Sequence, residues 1–396
     1  MITVKDAKNI VKVSANEMSV ENIFLRESIG FAISADIFSP VDFPDFEQSA
    51  MDGYGVFLHN GDNERVFTLI GEEQAGNIEI KNSIAKGQAV RIFTGAKIPE
   101  GVNTVIQQEW VERNGNEIVL KDFSVQVGMN IRPKASQTKK GDLVLKQGSA
   151  IYPAAAALLA GLGLDKIEVI RKPNVIIINT GKEIIAPGTK LLPGQIFESN
   201  SFALNNALLD MHITPAEICS IDDDRQLLIK KFSEALAVCD MLLVTGGVSV
   251  GDYDFVIEAL EANGVKQIFH KIKQKPGKPL YFGKKGNKVV FGLPGNPASV
   301  LTCFYQYVFP CVKTMMGFAE TELKQICLPC LNNYEKRAGL THFLKAKLHE
   351  KGVELLPHQE SYKMNTFAVA DALVEVAEDT TIVQKNDLVK VYLLQV

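Results

Sequence analysis

Asp240-Met241-Leu242-Leu243-Val244-Thr245-Gly246-Gly247-Val248-Ser249-Val250-Gly251-Asp252-Tyr253-Asp254-Phe255 is the stretch that decides the fold. An apolar run, Met241 to Val244, enters a turn rich in glycine and aspartate. A helix-like segment, Val256 to Asn263, leaves it. Strand, glycine loop, helix is the order in which a parallel α/β sheet builds a ligand site at the carboxyl ends of its strands. Gly246, Gly247 and Gly251 let backbone N–H groups approach an anion. Asp252 and Asp254 put carboxylates at the lip, and phosphate beside carboxylates calls for a divalent cation such as Mg²⁺ between them. Taken alone, the same stretch also reads as a plain strand-to-helix turn with a solvated aspartate cap.

Outward from it, residues 174–318 alternate. Val175 to Asn179, Ala216 to Ile221, Gln267 to Phe269, Leu280 to Gly283 and Lys288 to Phe291 read as strands. Ser201 to Met211 (with Asn200 as N-cap), Asp224 to Val238 and Pro297 to Met316 read as helices. That pattern predicts a doubly wound parallel sheet. Three more motifs follow its strands: Gly181-Lys182-Glu183, Lys275-Pro276-Gly277-Lys278-Pro279 and Gly292-Leu293-Pro294-Gly295-Asn296-Pro297. Asn296 fits an N-cap and Pro297 the first helical position, which leaves a helix start open to an anion. Lys275 and Lys278, held by prolines, read as phosphate or oxyanion partners. Loops that follow parallel strands converge on one rim.

On the amino-terminal side, residues 48–131 carry short strand-like runs between Gly and Asn turns, a small β module. It contains Ser49-Ala50-Met51-Asp52-Gly53-Tyr54 and Arg91-Ile92-Phe93-Thr94-Gly95. Residues 1–47 look mostly helical at first, with a helix or turn starting at Ser19-Val20-Glu21-Asn22 and a short apolar segment at Ser28 to Ile37, until Pro40, Pro44 and Asp45 break the pattern. Residues 150–164 read as a buried helix. The segments 1–47 and 132–173 together make a discontinuous domain with the β module inserted. Residues 319–396 read as a small β-barrel or sandwich.

The chain has 396 residues, 46% hydrophobic and 22% charged, with a net charge of -4. It is an ordinary globular protein of two to four domains. That balance argues against a protein that depends on nucleic-acid phosphates. No apolar run reaches the ~18 residues of a spanning helix, and the start lacks a signal-peptide pattern, so a cytoplasmic location is expected. Of six cysteines, only Cys327 and Cys330 are closely spaced. With no second pair at zinc spacing, reduced thiols are expected.

The five motifs that begin at Ser49, Arg91, Thr245, Lys275 and Gly292 together resemble the molybdopterin molybdenumtransferase family, the MoeA-like enzymes and the E domain of gephyrin. The resemblance implies four domains: an elongated discontinuous one at 1–47 and 132–173, an inserted β domain at 48–131, an α/β molybdopterin-binding domain at 174–318 and a C-terminal β-barrel at 319–396. It implies a homodimer acting on small-molecule substrates. Adenylylated molybdopterin and molybdate would give molybdenum cofactor and AMP with Mg²⁺, in a site shared between the α/β domain of one subunit and the inserted domain of the other. Transient contacts with other cofactor-synthesis proteins are also implied. Carried over by motif, Asp52, Thr94, Glu183, Asp223, Lys271, Lys275 and Lys278 are the catalytic candidates. Gly246, Gly247, Ser249, Gly251, Pro294, Gly295, Asn296, Pro297 and Ser361 are the binding candidates, and Asp254 is the metal ligand. Asp223 alternatively caps the helix that follows it. Two departures stand out. Ser136 and Gln137 occupy positions where the family usually has acids, and Lys182 precedes Glu183 where an Asp is common. Fewer negative charges imply a weaker Mg²⁺ requirement or a more positive local potential. The α/β domain alone also suits a molybdopterin adenylyltransferase, and an inactive scaffold is the third reading. A nicotinamide dehydrogenase is disfavoured, because no strand leads into G-x-G-x-x-G.

Overall fold

The structure, a computed structural model, describes residues 1–396 apart from 61–63, 78–82, 122–124, 249–254 and 395–396. Ser249, Gly251 and Asp254 therefore lie outside the described residues. The chain packs as two compact units, one of residues 1–35, 147–157 and 165–396, the other of 36–146 and 158–164.

The first unit is built on β1 (Val175–Thr180), α1 (Asn200–Leu209), β2 (Glu217–Ile221), α2 (Arg225–Val238), β3 (Met241–Thr245), α3 (Phe255–Ala262), β4 (Lys266–His270), β5 (Tyr281–Lys285), β6 (Lys288–Leu293) and α4 (Pro297–Cys303). The strand order is β2-β1-β3-β6-β5-β4. The residues of β1 and β3 are all buried, and they alternate between two cores. Val175, Ile177, Met241 and Leu243 face α1 and α4, whereas Ile176, Ile178, Leu242 and Val244 face α2 and α3. A strand with helices on both faces must be apolar throughout, which is why these runs do not alternate.

The sheet is mixed rather than wholly parallel. β2, β1, β3 and β6 run parallel, whereas β5 and β4 are antiparallel to their neighbours. β5 and β6 are joined by only Gly286 and Asn287, and Gly286 has φ +59°. A two-residue turn can link only antiparallel strands. The expected Pro297–Met316 helix is continuous but contains a π turn at Phe304–Val308 before Phe309–Met315. Pro310, which has no N–H to donate, sits just after that turn.

Two local expectations are corrected. The segment at Ser19–Asn22 is a strand, Val20–Phe24, paired antiparallel with Lys166–Ile170. The apolar helix, Pro153–Gly161, buries only Leu159, because its other residues are mostly alanines left partly exposed.

The C-terminal strands Thr341–His349, Ala372–Val376, Leu388–Leu393 and Gln325–Pro329 pair in that order, with Gly352–Leu355 on the other side of Thr341–His349. A bridge between Cys330 and Val353 closes the ring around Leu344, Val374 and Val391, so this part is a small barrel. The two-residue strand Gln274–Lys275 adds to its edge, parallel to Thr341–His349.

The second unit holds a six-stranded sheet of Gly53–Val56, Val66–Glu73, Gln88–Ile92, Thr104–Gln107, Val111–Asn114 and Glu117–Leu120, with a small apolar cluster on each face. Among the described residues, no helix is long and apolar enough to cross a membrane.

Candidate functional site

The carboxyl ends of β1, β2, β3 and β6 open into a cavity of about 550 Å³. Glu183, Asp223, Gly246, Gly247, Pro294, Gly295, Asn296 and Pro297 all line it. Eight expected positions from four separate loops thus meet at one rim, where doubly wound sheets place ligands.

The glycines have a steric cause. Gly246 has φ +84°, and a Cβ there would lie 2.6 Å from the Thr180 carbonyl oxygen. Gly247 has φ +59°, and its Cβ would lie 2.5 Å from a Val256 methyl. The two residues let β3 turn tightly against β1 and α3. The Gly246 N–H is not presented to an anion, because it donates to Leu293 O at 3.2 Å.

Asp222-Asp223-Asp224 divides its labour. Asp224 caps α2, its Oδ1 accepting from the N–H groups of Gln226 and Leu227 at 2.9 Å each. Asp223 lines the cavity wall. Asn296 precedes α4, but its side chain does not cap that helix. Its Nδ2 donates instead to Ser361 Oγ at 2.8 Å, and the Ala298 N–H donates to Ser361 O. Ser361 therefore stands behind the Pro294–Pro297 turn and does not line the cavity.

Lys271, Lys275 and Lys278 are also absent from the wall, to which their loop contributes only Pro279. Lys275 and Lys278 are exposed. The loop is anchored from below by Gln274, which is fully buried. Its Nε2 donates to Pro276 O at 2.9 Å, and Tyr307 OH donates to its Oε1. His342 pairs in register with Lys275. Burial, with Lys336 and Lys275 nearby, pushes its pKa down to about 4, so it is neutral under the lysine loop.

In the second unit, Asp52 and Thr94 are brought together. Asp52 Oδ1 accepts from both the N–H and the hydroxyl of Thr94 at 2.8 Å. The backbone N–H first and the hydroxyl second hold the Asp52 carboxyl below its ordinary range. Arg91 lies about 5 Å from the rings of Tyr54 and Phe93, donates to Gly53 O, and so ties the two motifs together. Gly53 is required there, since a Cβ would lie 1.9 Å from Ile106 O.

Comparison with known proteins identifies the family. Family models described as MoeA N-terminal region (domain I and II), probable molybdopterin binding domain and MoeA C-terminal region (domain IV) match residues 2–163, 183–314 and 328–394. A molybdopterin molybdenumtransferase from Haemophilus influenzae is 37% identical over 297 residues, 75% of this chain and 73% of that one. One from Staphylococcus epidermidis is 31% identical over 405 residues, covering 100% of this chain and 96% of its own length. The chain belongs to the MoeA family. The crystal structure of the molybdopterin biosynthesis MoeA protein from Pyrococcus horikoshii OT3 superposes with a TM-score of 0.84 at 28% identity, covering 99% of this chain and 100% of that one.

Within this MoeA fold, sequence reasoning missed Glu198 and Asn200 on the cavity wall. Glu198 starts α1: its oxygens accept from the N–H and the hydroxyl of Ser201, both at 2.7 Å. Asn200 is therefore not the N-cap but the first helical residue, and its Nδ2 donates to Gly295 O at 2.9 Å. The signal was Glu198-Ser199-Asn200-Ser201, acid and hydroxyl just ahead of an apolar run.

Proposed function

We propose that this chain is a molybdopterin molybdenumtransferase that takes adenylylated molybdopterin and molybdate and releases molybdenum cofactor and AMP with Mg²⁺. The observation that carries the reading is the rim cavity, where two carboxylates, Glu183 and Asp223, face the Gly246-Gly247 and Pro294–Pro297 turns. Membership of the MoeA family supports it.

Mg²⁺ keeps near-octahedral oxygen ligands and commonly uses one or two carboxylates plus substrate phosphates. Glu183 and Asp223 fit that donor set, with Asp254 the further candidate from its sequence motif. Substrate oxygens and water would supply the remaining ligands of such an ion. When bound, it neutralises charge on the phosphoanhydride. The chain itself supplies position. The glycine turn and the proline-fixed turn give rigid walls, and Lys275 and Lys278 supply positive charge for a phosphate or molybdate approaching the rim.

Asp52 and Thr94 complete the site from the second subunit of a homodimer. An exposed carboxylate fixed by two bonds from one residue suits a group that meets its ligand only on assembly. The test is anaerobic incubation with adenylylated molybdopterin, molybdate and Mg²⁺. AMP release that depends on molybdate supports the reading. Adenylylation of molybdopterin by ATP would favour the adenylyltransferase instead, and neither product would favour a scaffold.

A further inference from the structure

A second cavity, of about 530 Å³, lies away from the rim and takes no part in the proposed reaction. Its wall is mainly apolar and includes Ile151, Met211, Phe309, Met316, Phe318 and Leu323. Asp210, His212 and Tyr152 are the exposed polar residues of that wall. Lys313 also lines it, in the last turn of the helix Phe309–Met315, and is half-buried. Its ammonium sits 3.1 Å from the centroid of the Phe318 ring. Among the described residues that ring is its contact, and no hydrogen bond or ion pair joins it. Glu320 acts on it only at a distance.

A desolvated cation without a carboxylate is costly, and an apolar cavity of this size with few polar groups is the usual form of a small-molecule site. We infer that this cavity binds a small amphipathic monocarboxylate, with the carboxylate on Lys313 and the apolar body among Met211, Phe309, Met316 and Leu323. Charge complementarity fixes the sign of the head group, and the apolar wall fixes the character of the tail. Desolvation also brings the Lys313 ammonium down to about 8, and a bound carboxylate opposes that shift. Asp210, His212, Tyr152, Tyr305 and Glu320 are the other titratable groups around it. Of these, Asp210 and Glu320 disfavour further negative charge, so a single carboxylate opposite Lys313 suits the site best.

The probes are decanoate, decan-1-ol and decyltrimethylammonium, titrated calorimetrically into the intact protein and into Lys313→Met and Lys313→Arg. The wild type is expected to bind decanoate saturably, roughly 10-fold or more tighter than decanol, the usual worth of a charge-assisted hydrogen bond. Lys313→Met should bind decanol at least as well as the wild type but lose the preference for decanoate, whereas Lys313→Arg should keep it. Decanol binding serves as the check that the cavity is intact in Lys313→Met. Absence of saturable decanoate binding, equal binding of all three probes, or a decanoate preference that survives Lys313→Met would each overturn the inference. None of these outcomes bears on molybdate-dependent AMP release.

Discussion

Three adjacent acids show what a single residue's surroundings decide. Asp222, Asp223 and Asp224 are chemically equivalent in sequence, and capping by Asp223 was a fair alternative. Helix phase settles it: Asp224 is the residue whose Oδ1 reaches the second and third N–H groups of α2. Asp224→Ala should therefore cost about 1 kcal/mol in urea unfolding, the ordinary value of an N-cap. Asp223→Asn should instead act on the reaction, raising the Mg²⁺ needed for half-maximal activity by roughly 10-fold or more, as should Glu183→Gln. An unchanged Mg²⁺ curve in both would remove these carboxylates from the metal site. The uncharged pair Ser136 and Gln137 makes the converse case. Mg²⁺ titration of Gln137→Asp against wild type tests whether the missing acids weaken the requirement, and identical curves would dismiss it. Asp52 and Thr94 were legible as motif residues, but their mutual bonding depends on contacts 42 residues apart, which no local pattern records.

At the scale of elements, the four parallel strands were readable because three are apolar runs and the edge strand Glu217–Ile221 alternates, each before a glycine, proline or aspartate turn. The antiparallel edge was misread, although Gly286-Asn287 was its signal. The pairing of Gln274–Lys275 with Thr341–His349 could not be read, since two residues carry no periodicity. That pairing explains how the lysine loop is held. Tyr307→Phe would leave the buried Gln274 Oε1 without its donor, at a cost of about 1–3 kcal/mol in thermal or urea unfolding. His342, under the same loop, gives a pH signature. Its folded pKa of about 4 lies below the unfolded 6.5, so the unfolded chain binds more protons between those values. Its contribution is fully present above pH 6.5 and is lost as the pH falls toward 4, at most about 3 kcal/mol. Thermal melts of His342→Gln should show a shallower loss over that window; parallel curves would contradict the assignment.

For the whole molecule, the order of motifs along the chain was enough to suggest the family, and matches over residues 2–163, 183–314 and 328–394 agree with it. What the sequence could not supply was closure. The barrel is joined through Cys330 and Val353, a contact set by chain return and not by pattern. The proposed two-subunit site makes a prediction at this scale. At Mg²⁺ that is limiting for Glu183→Gln, Asp52→Asn and Glu183→Gln homodimers should each be nearly inactive, and mixing them under subunit exchange should restore activity to part of the wild-type level. Failure to recover any would argue against shared sites. The most direct measurement of the central claim remains anaerobic AMP release from adenylylated molybdopterin by the wild-type protein with Mg²⁺, with and without molybdate. The account predicts AMP only when molybdate is present, and AMP released equally without it, or not at all, would contradict the account.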